Sequence, residues 1–488
     1  MACWEVASSA RANVIVWSEF MRLGEDVPEQ ELNRSIARLR ANQCCSLIFT
    51  SGATGTPKAV MLSHDNVTWT AQRAGDAVDL RYGEESVVSY LPLSHVAAQL
   101  NDLYITMRFA ATTYFAQPDA LKGSLVATLK EVRPTSFLGV PRVWEKMQEK
   151  MQAAGAKASP FKKSVCDFFL PLSCGCAVCF REKRVPWGFT LANQLVFKKV
   201  RAALGLDRCR ILFTGSAPIS KETLEYFMSL NMPLMELYGM SESSGPHTVS
   251  TNDDFHISSC GKVMAGCKVK LDKQDEKGNG EICFWGRNVF MGYLNMEDKT
   301  KEALDQDGWL HSGDVGRFQG NFLFITGRIK ELLITAGGEN VAPVPIEDAV
   351  KAEVPILSNA MLIGDRKKFL SMLVTLKCVA DQDGGPTDRL SPDVVGFCRD
   401  RGLRAATVSE VVAGEEPAVY EAIREGVQRY NAKAVSNAQK VQKFVVLPRD
   451  FSVAGGELGP TMKLRRPIVV QMYQEKIDEL YAEQTQPK

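Results

Sequence analysis

Between Thr50 and Lys58 the chain reads TSGATGTPK, a run that gathers two glycines, four hydroxyl side chains, a proline and a lysine. Gly52 and Gly55 carry no Cβ, so the backbone can turn sharply and bring its N–H groups against an anion. Thr50, Ser51, Thr54 and Thr56 add hydroxyl donors. Lys58 adds a mobile positive charge. Such a loop is suited to phosphate. Cys45 to Phe49 before it reads as a buried strand, and Ala59 to His64 after it leads toward a helix from Asn66 to Ala71. Strand, glycine-rich loop and helix form the layout in which nucleotides meet α/β sheets. Pro57 stands where a Walker A loop has glycine, and no Ser or Thr follows Lys58, so the loop is of another kind. The bland alternative is a polar surface turn, since short motifs recur by chance.

Downstream, apolar runs alternate with helical spacing. Strands are expected at Ser86–Leu91, Thr112–Phe115, Thr135–Val140, Arg210–Thr214 and Leu234–Leu237. Helices are expected at 119–132, 142–158 and 221–230, with Trp144, Met147 and Met151 on one face as core residues. That alternation predicts a parallel, layered α/β domain. The pattern then changes. Lys268–Asp272 and Gly280–Trp285 flank a turn and predict a β-rich subdomain, while Asp307 to Asp314 carries turn chemistry. Glycines and prolines between Gly327 and Pro345 place a boundary near Lys330. Beyond it a helix with Pro345 at its first position, a hairpin around Asp365 and a helix from Pro417 predict a small α+β domain. The fold class expected is thus α/β, with domains at 1–329 and 330–488.

Charge and cysteines exclude some classes of function. Lys and Arg number 58 against 57 Asp and Glu, a net charge of +1, which gives no footing for nucleic acid. Thirteen scattered cysteines show no zinc spacing and no disulfide framework, which fits reduced thiols in a cytoplasmic protein. The apolar stretch Phe168 to Phe180 is shorter than the roughly 20 residues a membrane span needs and is read as core. Peripheral membrane contact through it is the second reading.

Four further clusters stand beside the loop. Gly215-Ser216-Ala217 and Tyr238-Gly239-Met240-Ser241-Glu242 sit at strand ends, where open α/β sheets bind ligands. A Tyr238 ring can stack on a base, and a Glu242 carboxylate can hold Mg²⁺ near phosphates. Asp314 can accept from a ribose, and Arg328 can reach the same sugar or a phosphate. Plainer readings stand beside the functional ones: Asp314 as a turn former, His95 as a satisfied core histidine rather than a substrate contact, Glu339-Asn340 as a turn, and Lys463 as a solvated charge beside Arg465 and Arg466.

In combination these stretches resemble the adenylate-forming superfamily of acyl-CoA synthetases, luciferases and peptide-synthetase adenylation domains. TSGATGTPK, YGMSE, DGWLHSGD, GRIKE and PTMK occur in that family's order, from about residue 45 to the end. GRIKELLITAGGENVAP looks like the fatty-acyl branch, and PLSHVAAQ with YGMSESSGPHT like its bubblegum type. The resemblance implies a long-chain fatty acid–CoA ligase that uses ATP and Mg²⁺, with CoA as co-substrate. It implies that Thr50 to Lys58 (Thr50, Ser51, Gly52, Ala53, Thr54, Gly55, Thr56, Pro57, Lys58) hold the phosphates, with Thr54 among the catalytic residues. By the same token Gly215, Ser216, Ala217, Glu236, Leu237, Tyr238, Gly239, Met240 and Ser241 surround adenine. Glu242 binds Mg²⁺, Asp314 and Arg328 hold the ribose, and Lys463 meets the reacting carboxylate and α-phosphate. Lys330 is the implied hinge of a mobile C-terminal domain, and Gly337, Gly338 and Glu339 line the CoA channel.

Three departures stand out. Ala53 replaces a frequent Thr, and Gly327 replaces a frequent Asp. Relatives also carry a longer segment with further strands before the phosphate loop. The expectation is therefore a chain shortened at its N-terminus, with a sheet edge and an apolar face uncovered. The alternatives are an adenylating ligase for another carboxylate, or a shortened chain that binds ATP without turnover.

Overall fold

The structure, a computed structural model, describes residues 2–3, 15–50, 57–156, 189–337, 339–381, 385–402, 404–414, 417–459 and 462–482. Ser51 to Thr56, the stretch Phe168 to Phe180, Gly338, Pro460 and Thr461 lie outside the described residues.

The fold is α/β. One five-stranded sheet runs in the order Lys262–Val263, Gly245–Val249, Leu234–Met240, Ile211–Thr214, Ser136–Gly139, and its last three strands are parallel. Ile211–Thr214 is buried at every position, as expected of a parallel strand covered on both faces. Trp144, on the helix Pro141–Ala156, is fully buried and its indole N–H reaches both Gly139 O (3.0 Å) and Phe213 O (3.1 Å). That pair of bonds pins the helix across two neighbouring strands. A Cβ at Gly139 would lie 2.5 Å from the same indole, so the close approach requires glycine. A second, antiparallel sheet is ordered Lys268–Asp272, Gly280–Trp285, Leu310–Gln319, Phe322–Arg328.

The sequence expectation fails at the phosphate loop. Lys58–Ser63 is not the lead-in to a helix but a strand, antiparallel to Cys44–Thr50 and paired on its other side with Gly292–Tyr293. Val60 and Leu62 are its buried positions. Only after it does Ser63 cap the helix His64–Ala77, its Oγ accepting from Asn66 N at 3.0 Å. The loop therefore joins two antiparallel strands. Nor is Cys44–Thr50 buried: Ile48 is, but Leu47 and Phe49 are 42% and 67% exposed. The helix Glu29–Arg38 likewise leaves Leu32 and Ile36 exposed.

Two smaller corrections bear on the site. Asp314 does not sit in a turn; the turn ends at Trp309, and Asp314 lies inside the strand Leu310–Gln319, opposite Arg328. The helix near the expected boundary starts at Pro343 rather than Pro345.

Beyond residue 330, Leu357–Ile363 and Leu370–Leu376 form a hairpin, and Val441–Val446 adds to it in parallel. Helices Pro343–Glu353 and Pro417–Lys433 cover it. Among the described residues no apolar cluster contains side chains from both sides of residue 330. Contacts across include Arg142 Nη2 donating to Ser358 Oγ at 3.3 Å. None of the described helices is long and apolar enough to cross a membrane.

Candidate active site

A cavity of about 560 Å³ lies where the two sheets and the loop ahead of the helix Arg466–Met472 meet. Thr50, Lys58, Gly215, Ser216, Leu237 to Glu242, Asp314, Arg328 and Lys463 all line it. Residues more than 400 positions apart in the chain thus share one wall.

The centre of that wall is a hydrogen-bonded set. Tyr238, at the end of a central strand, donates its hydroxyl to Asp314 Oδ2 at 2.7 Å. Arg328 Nε pairs with Asp314 Oδ1, also at 2.7 Å. The antiparallel register that sets Asp314 opposite Arg328 makes the second contact, and Arg328 reaches on to Glu331 at 3.6 Å. Burial and then the Asp314 charge push the Tyr238 hydroxyl well above its ordinary range. Burial opposes the charge on Arg328, but Asp314 and Glu331 outweigh it and hold its pKa raised. Tyr238, Asp314 and Arg328 are a donor–acceptor chain with polar atoms bordering the cavity.

Lys463 arrives from the far end of the chain. Its loop is closed by a bridge between Leu458 and Leu464 and by Gly459 N donating to Lys463 O at 2.8 Å. Burial, then repulsion from Arg328, brings its ammonium down to about 8. A cation held near the titration point in a cavity with phosphate-sized room is a group poised to meet negative charge.

Glu242 follows Tyr238 on a short turn and is 6% exposed. Its Oε1 accepts from the Tyr293 hydroxyl at 2.7 Å. The Tyr293 ring in turn lies 4.1 Å from Lys58 Nζ. One tyrosine thus ties the carboxylate to the last residue of the phosphate loop. A single carboxylate of hard oxygen donors beside phosphates is how Mg²⁺ is usually held, so Glu242 fits that ion. The tyrosine was invisible to sequence reasoning; its only signal is its place two residues past Met291 on the strand that pairs with Lys58–Ser63.

Other expectations divide. Gly239 approaches its neighbour closely, since a Cβ there would lie 1.9 Å from Gly245 O. Ala217 and Glu236 are not among the lining residues; burial pushes the Glu236 carboxyl up to about 8, and it accepts from the Ser258 backbone. His95 is not a core histidine. Its Nδ1 accepts from Ala97 N at 3.1 Å while the residue lines the cavity, and burial, then the Lys463 charge, push its pKa below the ordinary imidazole value. Lys330 belongs to the short turn Ile329–Glu331 directly after Arg328. Gly337 and Glu339 do not line the cavity; Thr335 closes the turn there, its Oγ1 accepting from Glu339 N at 3.2 Å. Thr54 lies outside the described residues.

Comparison with known proteins adds lineage to this geometry. Residues 5–294 match the model of the AMP-binding enzymes, and residues 330–485 that of the AMP-binding enzyme C-terminal domain. The long-chain-fatty-acid–CoA ligase ACSBG2 of Xenopus laevis is 60% identical over 98% of the chain and 66% of its own length. That of Gallus gallus is 57% identical over 99% and 64%. The human ligase ACSBG1 is 52% identical over 97% and 66%. The chain spans about two thirds of the length of these curated relatives. Among solved structures, the adenylation domain of the Mycobacterium chelonae carboxylate reductase aligns with a TM-score of 0.66 at 22% identity, covering 91% of this chain and 60% of its own. The Bacillus subtilis o-succinylbenzoate CoA synthetase, solved with its acyl-adenylate intermediate, aligns at 0.60 and 19%, covering 88% and 69%. At such identity these two speak for the fold alone.

Proposed function

We propose, on the premise that this chain belongs to the AMP-binding enzyme family, that it joins long-chain fatty acids to coenzyme A at the expense of ATP. The fatty-acid carboxylate attacks the α-phosphate, pyrophosphate leaves, and an acyl-adenylate forms. The CoA thiol then attacks the acyl carbon, and AMP leaves. One observation carries this reading: Lys463 stands in the same cavity as Asp314, Arg328 and Tyr238.

In the first step negative charge gathers where carboxylate meets phosphate. Lys463 neutralises it, and Asp314 with Arg328 holds the ribose so that the α-phosphate faces the carboxylate. Lys58 and the loop before it take the outgoing pyrophosphate. Glu242 would hold Mg²⁺, which when bound screens the phosphate charges. Tyr293 orients that carboxylate. Residues 1–329 act as the AMP-binding part and residues 330–488 as a smaller part turning at Lys330, a division supported by the separation of the apolar clusters. Gly337 to Glu339 meet CoA after that turn, which fits the place of Gly337 and Glu339 away from the cavity lining. The proposed location is the cytoplasm.

The test is ATP–pyrophosphate exchange on this chain with a panel of carboxylates, followed by thioester formation with CoA. Long-chain fatty acids should drive both. Exchange driven only by short or aromatic acids would point to an adenylating ligase of another carboxylate. ATP binding without any exchange would overturn the catalytic reading.

A further inference from the structure

On the antiparallel sheet three side chains of different chemistry converge, and two of them, Glu281 and His311, line the wall of the nucleotide cavity itself. Glu281 and Cys283 lie two residues apart on the strand Gly280–Trp285 and so point to one face. His311 is the register partner of Cys283 on the neighbouring strand. Its Nδ1 is 2.8 Å from Glu281 Oε2 and 3.5 Å from Cys283 Sγ, and one ligand atom from each residue lies within 4.8 Å of the others.

We propose that Glu281, Cys283 and His311 form a site for a divalent transition-metal ion of the zinc class. Tetrahedral zinc with ordinary bond lengths puts a nitrogen and a sulfur ligand about 3.5 Å apart, and a nitrogen and an oxygen ligand about 3.3 Å apart. The nitrogen–sulfur separation here already matches. Against the imidazole nitrogen the carboxylate oxygen needs to yield about half an ångström, and it lies within 4.8 Å of the sulfur, where tetrahedral zinc asks for about 3.6 Å. A metal-bound histidine usually gives its other ring nitrogen to a carboxylate. Here His311 Nε2 faces Asp305 Oδ2 at 3.6 Å.

The surroundings favour a cation. Asp272, Glu281 and Asp305 all lie within electrostatic reach of Cys283, against the single ammonium of Lys270. That ammonium is engaged by Asp305 at 3.3 Å and by the Trp309 ring at 4.6 Å. Glu281 and His311 keep part of their surface open, so an ion and a water as fourth ligand can enter from solvent. Binding releases the thiol proton to solvent. Glu281 has its second oxygen on Gly313 N at 3.1 Å, next to Asp314. An ion bound through the first oxygen would therefore brace the strand that presents Asp314 to the cavity.

The test uses the whole chain, freed of metal with a chelator and titrated with Co²⁺. The expected result is saturation at one equivalent with a near-ultraviolet thiolate-to-cobalt absorption that Zn²⁺ removes. Cys283→Ser should lose that absorption. Asp305→Asn should keep it but weaken Co²⁺ binding by about 10- to 100-fold, the usual cost of a lost outer carboxylate. Absence of the thiolate band in the unaltered chain would overturn the proposal. So would a band of equal size in folded Cys283→Ser, which would assign it to another of the cysteines. Neither outcome depends on the ligase activity.

Discussion

Tyr238 and Asp314 stand 76 residues apart in the chain, yet the Tyr238 hydroxyl donates to Asp314 Oδ2 at 2.7 Å. Arg328 fixes the other oxygen, so the carboxylate is held from two sides before any ribose arrives. Tyr238→Phe removes one of those holds and leaves the ring in place. A hydrogen bond of this kind contributes about 1–1.5 kcal/mol, so the KM for ATP should rise about 5- to 13-fold with kcat little changed. Initial rates against ATP concentration check this; an unchanged KM would mean that Asp314 needs no help from Tyr238.

The role proposed for Lys463 implies a pH limit. Its folded pKa is brought down to about 8, and only the protonated form can neutralise the reacting phosphate. The kcat/KM of adenylation, which reports the free enzyme, should therefore fall on the alkaline side with a midpoint near pH 8, and Lys463→Arg should move that limb upward. Lys463→Ala should lose roughly 10²–10³ in ATP–pyrophosphate exchange. It should still convert added acyl-adenylate and CoA to thioester. Parallel loss of both half-reactions in a folded variant would remove this role. Because the folded pKa lies below the unfolded value of 10.5, the burial also costs stability below about pH 8, a cost relieved as pH rises toward 10.5.

Glu242→Gln keeps an oxygen for the Tyr293 hydroxyl but removes the charge. Losing one charge-assisted contact of about 1.5–3 kcal/mol should raise the Mg²⁺ needed for half-maximal exchange about tenfold or more, with recovery at high Mg²⁺. A Mg²⁺ titration identical to that of the unaltered chain would take Glu242 out of the metal site.

Arg142 links the two parts. Beyond Ser358 it binds Glu145 Oε2 at 2.9 Å, and the Asp450 charge lies within reach. Arg142→Ala should loosen the orientation that brings Lys463 into the cavity. We expect adenylation to slow about tenfold, a charged hydrogen bond's worth, with thioester formation from supplied acyl-adenylate spared. Measuring the two half-reactions separately decides it: equal loss in both would make Arg142 a plain stabilising residue.

The parallel core was legible because its strands are continuous apolar runs such as Ile211 to Phe213, which only a doubly covered sheet accepts. The motif residues Tyr238, Asp314, Arg328 and Lys463 were legible as chemistry, and the cavity brings all four together. What escaped was pairing. Ala59 to His64 read as a lead-in to a helix because nothing in those residues announces a partner strand at Gly292–Tyr293, far along the chain. Asp314 was legible as a ribose acceptor but not as a strand residue, because Asp307 and Gly308 before it are turn residues, while its strand is set by Gly280–Trp285 and Phe322–Arg328. Tyr293 was missed, and His95 read as core rather than as a substrate contact, for the same reason: their places in the cavity come from neighbours distant in sequence.

That no apolar cluster among the described residues spans residue 330 has a thermal consequence. Heat-capacity changes follow the apolar surface that water gains or loses. A rotation that trades contacts like Arg142 to Ser358 for hydration uncovers little hydrocarbon. The equilibrium between the two proposed orientations should then follow a nearly straight van't Hoff line. A single enthalpy would then govern the shift between them over the working range, with no temperature at which the balance turns back.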